Sequence, residues 1–544
     1  MPTVTLDKKT VLKLLGKKVS DEILKDRIPM LGTDLESISD TEIVVEIFPN
    51  RPDMLSEEGF ARALSSFMDI KPGFVKYEIK KENSKVTVKN LPKTWPYAVC
   101  VIVRGLKLDD NKLRSIIQLQ EKLGVTLLRK RKKGGIGLYP MDKITLPINF
   151  TSRPKEKIQF RPLEGKTIMK VNDILVNHPT GREYAHIISG WKNYPIFVDS
   201  SDVIMSMPPI INSHDVGKVT KDTKDVFVEA TGTDLNILKI ALNIMITTLA
   251  DMGGTIYSLE MDYGTEKFRF PDFTPRKIKL DKNYIERLLG IELNDSKIKE
   301  LLGNMGIGYK KGNALVPVYR ADILHQIDIV EDIAVAYGYE NFDEEIPKVA
   351  TIASESKGTI LERKIAEVMT GFGMLECKNY HITSDETLTT KMNVEKQQLI
   401  KPENPANIEY NTLRNNILPG LMKILSENTH NEYPQKLFET GDVIHFDKTS
   451  TTQTKENAHM SCVIADVNSD FSTIKAILES TLKSLDVKFS LKKAKHSSYI
   501  DGRIAEIKIN GKNAGYVGEI NPQVLNNWNL EIPVLAYEID LSNL

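Results

Sequence analysis

The feature that most constrains this chain is that its opening stretch occurs twice. VTLDKKTVLKLLG, residues 4–16, returns as IKLDKNYIERLLG, residues 278–290. Leu6, Asp7 and Lys8 match Leu280, Asp281 and Lys282, while Leu14, Leu15 and Gly16 match Leu288, Leu289 and Gly290, all at one offset. In both copies the Asp can cap a short helix whose apolar positions recur three and four apart and which stops at glycine. The similarity resumes where FPNRPDML aligns with PVYRADIL, pairing Arg51 with Arg320 and Asp53 with Asp322. A helix is expected after each. Two small modules of related fold are therefore expected, and internal repetition of this kind reflects one supersecondary unit used twice.

The rest of the chain follows from length and pattern. At 544 residues it exceeds what one core can serve. Residues between the modules mix β-rich runs (YAVCVIVRGL, YPIFVDS, DVFVEAT) with helical ones (LRSIIQLQEKLG, LNILKIALNIMITTLADMG), which reads as an α+β domain. After Lys357, strands such as KLFETGDVIHF and PVLAYEIDL with glycine and asparagine turns fit an antiparallel sheet. The expected class is thus α+β multidomain, with boundaries at 1–85, 86–268, 269–342 and 343–544.

Seventy-three basic residues balance seventy-three acidic ones, so contact with nucleic acid would need a local basic patch. The strongest is Arg129, Lys130, Arg131, Lys132 and Lys133, beside Gly134 and Gly135. It reads either as a solvated loop or as a phosphate contact, and no aromatic residue interleaves it for base stacking. Cys100, Cys377 and Cys462 lie too far apart for short-spaced zinc motifs and suit a reducing compartment. Charged residues interrupt the first apolar ones, and no run approaches about eighteen apolar residues. A soluble, cytoplasmic protein is expected, with no membrane contact.

RADILHQIDIVED crowds four carboxylates together: Asp322, Asp328, Glu331 and Asp332. A helix starting near Ile327 would put the last three on one face. Like-charge repulsion there is only roughly 0.2–0.5 kcal/mol per pair, so an acid-rich first turn facing water is one reading. A hard-cation site is the other, since Mg²⁺ takes carboxylate oxygens and needs no soft ligand. His325 is nearby, but a lone histidine is more often a packing residue. The first copy retains Arg51 and Asp53 but has Gly59, Arg62 and Ala63 where the second has Asp328, Glu331 and Asp332. The helix can therefore start without those three acids, which leaves both readings open.

Taken in order, EIFPNRPDMLSEEGFAR, RADILHQIDIVEDIAVAYGYE, ENPANIEYNTLRNNILPGLM, KLFETGDVIHF and AGYVGEINPQVL resemble the β subunit of phenylalanyl-tRNA synthetase of the archaeal and eukaryotic type. The resemblance implies an α₂β₂ ligase that joins phenylalanine to its tRNA with ATP, through an aminoacylation site in the α subunit. It implies that residues 343–544 resemble a class II synthetase core without an ATP pocket, that Arg414 stands where a motif-two arginine is expected, and that the domain holds α. It also implies that Asp322, Asp328, Glu331 and Asp332 bind Mg²⁺, and that the bacterial family's C-terminal anticodon module is absent.

RKRKKGGIGLYPMDKI, FRPLEGK, HPTGREYAHI, SMPPIINSH and DVFVEATGTD resemble the family's editing domain, which hydrolyses tyrosine wrongly esterified to the phenylalanine tRNA. The chemical need is general: an apolar pocket cannot strongly reject an isostere that adds only a hydroxyl. Glu229 and Thr231 alternate onto one face of VFVEAT; Ser206 and Asn212 flank the Pro208-Pro209 turn. The resemblance implies catalytic roles for Glu229, Thr231 and Ser206, and tRNA contact for the basic run. A noncatalytic tRNA-binding scaffold and a free-standing metal hydrolase are the competing expectations. The last is weakened by the absence of a base or nucleophile near the acidic cluster.

Overall fold

The computed structural model describes residues 2–347, 349–468 and 470–544. The chain divides into two compact units, Met1–Ile346 and Pro347–Leu544.

The duplicated segments open two stretches with the same element order. Strand Thr3–Asp7 leads into helices Lys8–Leu15 and Asp21–Met30, strands Asp34–Ile38 and Glu42–Glu46, and helix Glu57–Phe67. Strand Arg276–Lys279 leads into helices Lys282–Leu289 and Asp295–Asn304, strands Gly308–Lys310 and Asn313–Val316, and helix Gln326–Tyr337. In both, the third strand lies in the middle of a three-stranded sheet. The caps explain the shared start: Asp7 accepts from the Thr10 N–H at 2.7 Å, and Asp281 from the Asn283 N–H at 3.0 Å. Gly16 and Gly290 end the helices at φ 77° and 70°, a left-handed conformation that costs glycine little.

Between them runs a ten-stranded mixed sheet. Strand Val226–Gly232 pairs antiparallel with Tyr97–Arg104 on one side and Gly134–Pro140 on the other. Strand Ile79–Val88 runs parallel to Thr255–Asp262 and to Ile148–Pro154. Helix Leu235–Asp251 packs on strands Tyr97–Arg104 and Val226–Gly232, starting at an Asp234 cap and burying Leu238, Leu242, Met245 and Leu249. A single hydrophobic core extends from Val4 through this sheet to Ile333, so the duplicated segments and the sheet share their interior. A polar joint fixes the three: Arg62 donates to Tyr77 at 2.8 Å and to Asp251 at 2.5 Å, and its guanidinium lies 4.3 Å from the Tyr319 ring centre.

In the second unit, strand Gln435–Phe446 begins an antiparallel run through Thr454–Ala465, Val534–Asp540, Lys512–Ile520, Tyr499–Ile509 and Phe489–Lys493. The edge strand Leu375–Glu376 departs from the expected antiparallel pattern and runs parallel to Gln435–Phe446. Parallel pairing needs a crossover, and the connection containing helix Leu418–Glu427 provides it. Successive strand residues alternate between two cores: Phe438, Cys462 and Tyr537 face one, Leu437, Val463 and Ala536 the other.

Candidate functional site

Every residue of strand Val226–Gly232 is buried, as a central strand requires, yet it carries a carboxyl group and a hydroxyl. Glu229 lies opposite Cys100 on one neighbouring strand and Gly137 on the other. Gly137 is needed there, because a Cβ would collide with both the Glu229 carboxyl and the Tyr139 hydroxyl. Through the gap, Tyr139 Oη reaches Glu229 Oε1 at 3.2 Å and Asn212 Oδ1 at 3.2 Å.

Burial pushes the Glu229 carboxyl up to about 8, and the hydrogen bond from Tyr139 only partly opposes this. Glu229 is therefore largely a neutral acid at pH 7. The single phenolic hydrogen of Tyr139 is shared between two acceptors, Glu229 Oε1 and Asn212 Oδ1. Glu229 Oε2 remains buried without a partner. The residue is part of the lining of a cleft of about 320 Å³, together with Gln120, Arg131, His178, Pro209 and Asn212 among others.

Of the residues singled out from sequence, Glu229, Asn212 and Arg131 line this cleft, whereas Ser206 and Thr231 do not. Ser206, Glu229 and Thr231 are 1, 2 and 0 % exposed. Ser206 pairs in register with Asn212, and its Oγ approaches the Tyr139 hydroxyl without a hydrogen bond of standard geometry. Thr231 Oγ1 is likewise buried and unpartnered. Sequence reasoning missed Tyr139 and His178, although both stand in the quoted segments RKRKKGGIGLYPMDKI and HPTGREYAHI.

The basic run does not act as one surface. Arg129, Lys130 and Arg131 hold consecutive φ values of 50°, 52° and 61°, a left-handed turn that costs L-residues roughly 1–2 kcal/mol each. Backbone bonds hold it, among them Lys130 N–H to Val125 O at 3.1 Å and Arg131 N–H to Gly124 O at 3.0 Å. Arg129, Lys130 and Lys132 are exposed, and Lys133 is half-buried. Arg131 turns inward, donating to the Ile210 carbonyl at 2.9 Å and lying 4.2 Å from the Tyr184 ring centre.

The four acids of RADILHQIDIVED divide among three kinds of partner. Arg320 donates to Asp322 at 2.8 and 2.6 Å and to Asp332 at 2.8 Å. Asp328 accepts the N–H groups of Leu324 and His325 at 2.6 and 2.7 Å, closing a capping box. Glu331 accepts the Tyr339 hydroxyl at 2.9 Å. Among the described residues, the acids that gather within 4.8 Å in a group of three are Asp34, Glu36 and Glu46. Asp322, Asp328, Glu331 and Asp332 therefore do not fit a single Mg²⁺ as this chain holds them: a buried arginine already neutralises two, while only Asp328 and Glu331 share a cavity wall. In the first copy Arg51 makes the same two bonds to Asp53, both at 2.9 Å. The Arg-x-Asp pair thus belongs to the shared turn.

In the second unit, Arg414 is also committed internally. It donates to Glu439 at 2.5 Å and to the Asp442 carbonyl at 2.9 Å, and Asn379 donates to the other oxygen of Glu439 at 2.6 Å. The adjoining cavity measures only about 60 Å³.

Two family models match: the phenylalanyl tRNA synthetase beta chain CLM domain over residues 343–541, and the tRNA synthetase B5 domain over 278–339. The phenylalanine–tRNA ligase beta subunit of Pyrococcus horikoshii is 38% identical over 551 residues, covering 99% of both chains. That of Methanococcus aeolicus is 36% identical over 559 residues, covering 99% of this chain and 100% of its own. The crystal structure of an N-terminal fragment of the Pyrococcus horikoshii phenylalanyl-tRNA synthetase beta subunit superimposes with a TM-score of 0.60 at 39% identity, over 62% of this chain and all of that one. Similarity of this extent along the whole length means that the chain belongs to the family of phenylalanine–tRNA ligase β subunits, components of an aminoacyl-tRNA synthetase.

Proposed function

We propose that this chain works with an α subunit, in an α₂β₂ assembly, to attach phenylalanine to its tRNA, and that it hydrolyses tyrosyl-tRNA formed in error. The observation that carries the editing reading is the buried, unpartnered Oε2 of Glu229, a residue that lines the 320 Å³ cleft. A tyrosine hydroxyl can hydrogen-bond to it. Phenylalanine would leave that oxygen unmet, a difference of about 1–3 kcal/mol in favour of tyrosine. Ser206 and Thr231, buried outside the cleft lining, remain the further catalytic candidates of this reading, and Arg129, Lys130 and Lys132 offer the exposed charge for the tRNA backbone.

On this reading residues 1–85 and 269–342 flank an editing domain, 86–268, and residues 343–544 form a class II-like core that binds α. The commitment of Arg414 to Glu439 supports a core that leaves ATP chemistry to α. Three free thiols and the absence, among the described residues, of a helix long and apolar enough to cross a membrane suit the proposed cytoplasmic setting. The test is hydrolysis of tyrosyl-tRNA for phenylalanine by the α₂β₂ enzyme. Rapid hydrolysis that Glu229→Ala abolishes, with phenylalanylation intact, is expected; equal rates in both proteins would overturn the editing role of Glu229.

A further inference from the structure

Helices Val171–Asn177 and Pro179–Ile188 meet at His178. Its Nε2 lies 3.0 Å from the Leu163 carbonyl oxygen, which can only accept a hydrogen bond. Nε2 therefore carries the proton, and in the neutral ring Nδ1 is a bare acceptor. Nδ1 is buried without a partner, and the residue forms part of the lining of the cleft that holds Glu229. The anchor is itself fixed: the Leu163 N–H donates to the Asn212 carbonyl at 2.9 Å, and the Glu164 N–H donates to His214 Nδ1 at 3.1 Å. An imidazole tied through one nitrogen and unpartnered at the other is oriented for proton transfer. Glu229 is poorly placed for that task, since burial keeps its carboxyl largely protonated at pH 7. The other charged groups on the cleft are Glu121, Arg131 and Glu164.

The geometry points to His178 as the general base that activates water for ester hydrolysis in this cleft, an inference that rests on the editing reading above. Nδ1 takes a proton from water as the water oxygen bonds to the ester carbonyl carbon and the carbonyl electron pair moves onto its oxygen. Collapse of the tetrahedral intermediate re-forms the carbonyl and breaks the bond to the ribose oxygen. That oxygen leaves with the proton held on Nδ1. Water and ester become tyrosine and a free ribose hydroxyl, and the carboxylic acid then releases its proton to solvent. Glu229 recognises the phenol; His178 serves the ester.

The experiment is single-turnover hydrolysis of tyrosyl-tRNA for phenylalanine by the α₂β₂ enzyme carrying His178→Ala. A rate about 10²–10⁴-fold lower is expected, partly restored by added imidazole, with phenylalanylation unchanged. His178→Gln, whose amide can keep the bond to Leu163, should be equally slow and serves if the alanine variant folds poorly. Wild-type rates in either variant would overturn the assignment. A slow rate that imidazole does not restore would do so too, since it marks a positioning residue. If Glu229→Ala abolishes hydrolysis and His178→Ala does not, the base assignment alone falls. A wild-type enzyme that leaves the ester intact overturns the editing reading and His178 together.

Discussion

Tyr139 Oη lies 3.2 Å from Glu229 Oε1, across the space that Gly137 leaves empty. The contact depends on three strand positions at once, so it is sensitive to one methyl group. Gly137→Ala is expected to force the two oxygens apart, destabilise the unit by about 1–3 kcal/mol, and abolish tyrosyl-tRNA hydrolysis. Tyr139→Phe leaves Asn212 Oδ1 without its donor and costs about 1–3 kcal/mol. Urea unfolding with parallel hydrolysis assays measures both. Equal stability of Gly137→Ala and wild type would show that the strand absorbs the methyl.

Raised carboxyl groups give the protein a definite pH signature. Burial lifts both Glu229 and Glu58 from 4.5 to about 8. Between those values the folded state holds protons that the unfolded chain has released, so their contribution is complete below about pH 4.5 and is lost as pH rises through about 8. Each group weakens the fold by at most about 1.4 kcal/mol per pH unit in that window. Glu229→Gln cannot ionise and should lose its share of the slope. Plotted against pH, the stability of Glu229→Gln minus that of wild type is expected to climb from pH 5 to 8 and then level off; a flat difference would place the wild-type carboxyl at an ordinary value.

What could be read from the sequence was what depends on neighbours along the chain. The Asp7 and Asp281 caps, the Gly16 and Gly290 stops and the alternation that puts Glu229 and Thr231 on one face are all local, and residue spacing reports them directly. Tyr139 and His178 are different. Tyr139 meets Glu229 only because Gly137 pairs with that residue in register, and His178 reaches the cleft through helices joined far from strand Val226–Gly232. Spacing also mis-sorts charge. It grouped Asp322 with Asp328, Glu331 and Asp332 by sign, whereas Arg320 reaches forward over a helical turn to take Asp322 and Asp332 together. Likewise, nothing in RKRKK announces the left-handed turn that points Arg131 inward.

The pairing of Arg320 gives an order of effects. Arg320→Ala leaves two carboxylates unpaired, Asp332 among the buried ones, and is expected to cost about 3–5 kcal/mol. Arg320→Lys should recover little, because an ammonium cannot reproduce the bidentate fork on Asp322. Asp328→Ala removes only a helix cap, about 1 kcal/mol. Denaturant midpoints with and without EDTA check this: the arginine pairing predicts no effect of chelation on the wild-type chain, whereas a shared Mg²⁺ would make EDTA mimic the loss of a ligand.

The division of the basic run can be read from salt dependence. Each phosphate neutralised by a side chain contributes about 0.7–0.9 to the slope of log Kobs against log salt concentration. Arg129, Lys130 and Lys132 are exposed, so changing any one to alanine should lower that slope by about this amount for tRNA binding and leave stability nearly unaltered. Arg131 already gives its guanidinium to the Ile210 carbonyl and the Tyr184 ring, so Arg131→Ala should keep the slope. It should instead loosen the Pro209–Ile210 wall of the cleft and slow tyrosyl-tRNA hydrolysis. Binding measured between 50 and 200 mM salt, on the order used to resolve such slopes, separates the two behaviours. A reduced slope for Arg131→Ala would mean that the side chain leaves Tyr184 to meet the tRNA backbone.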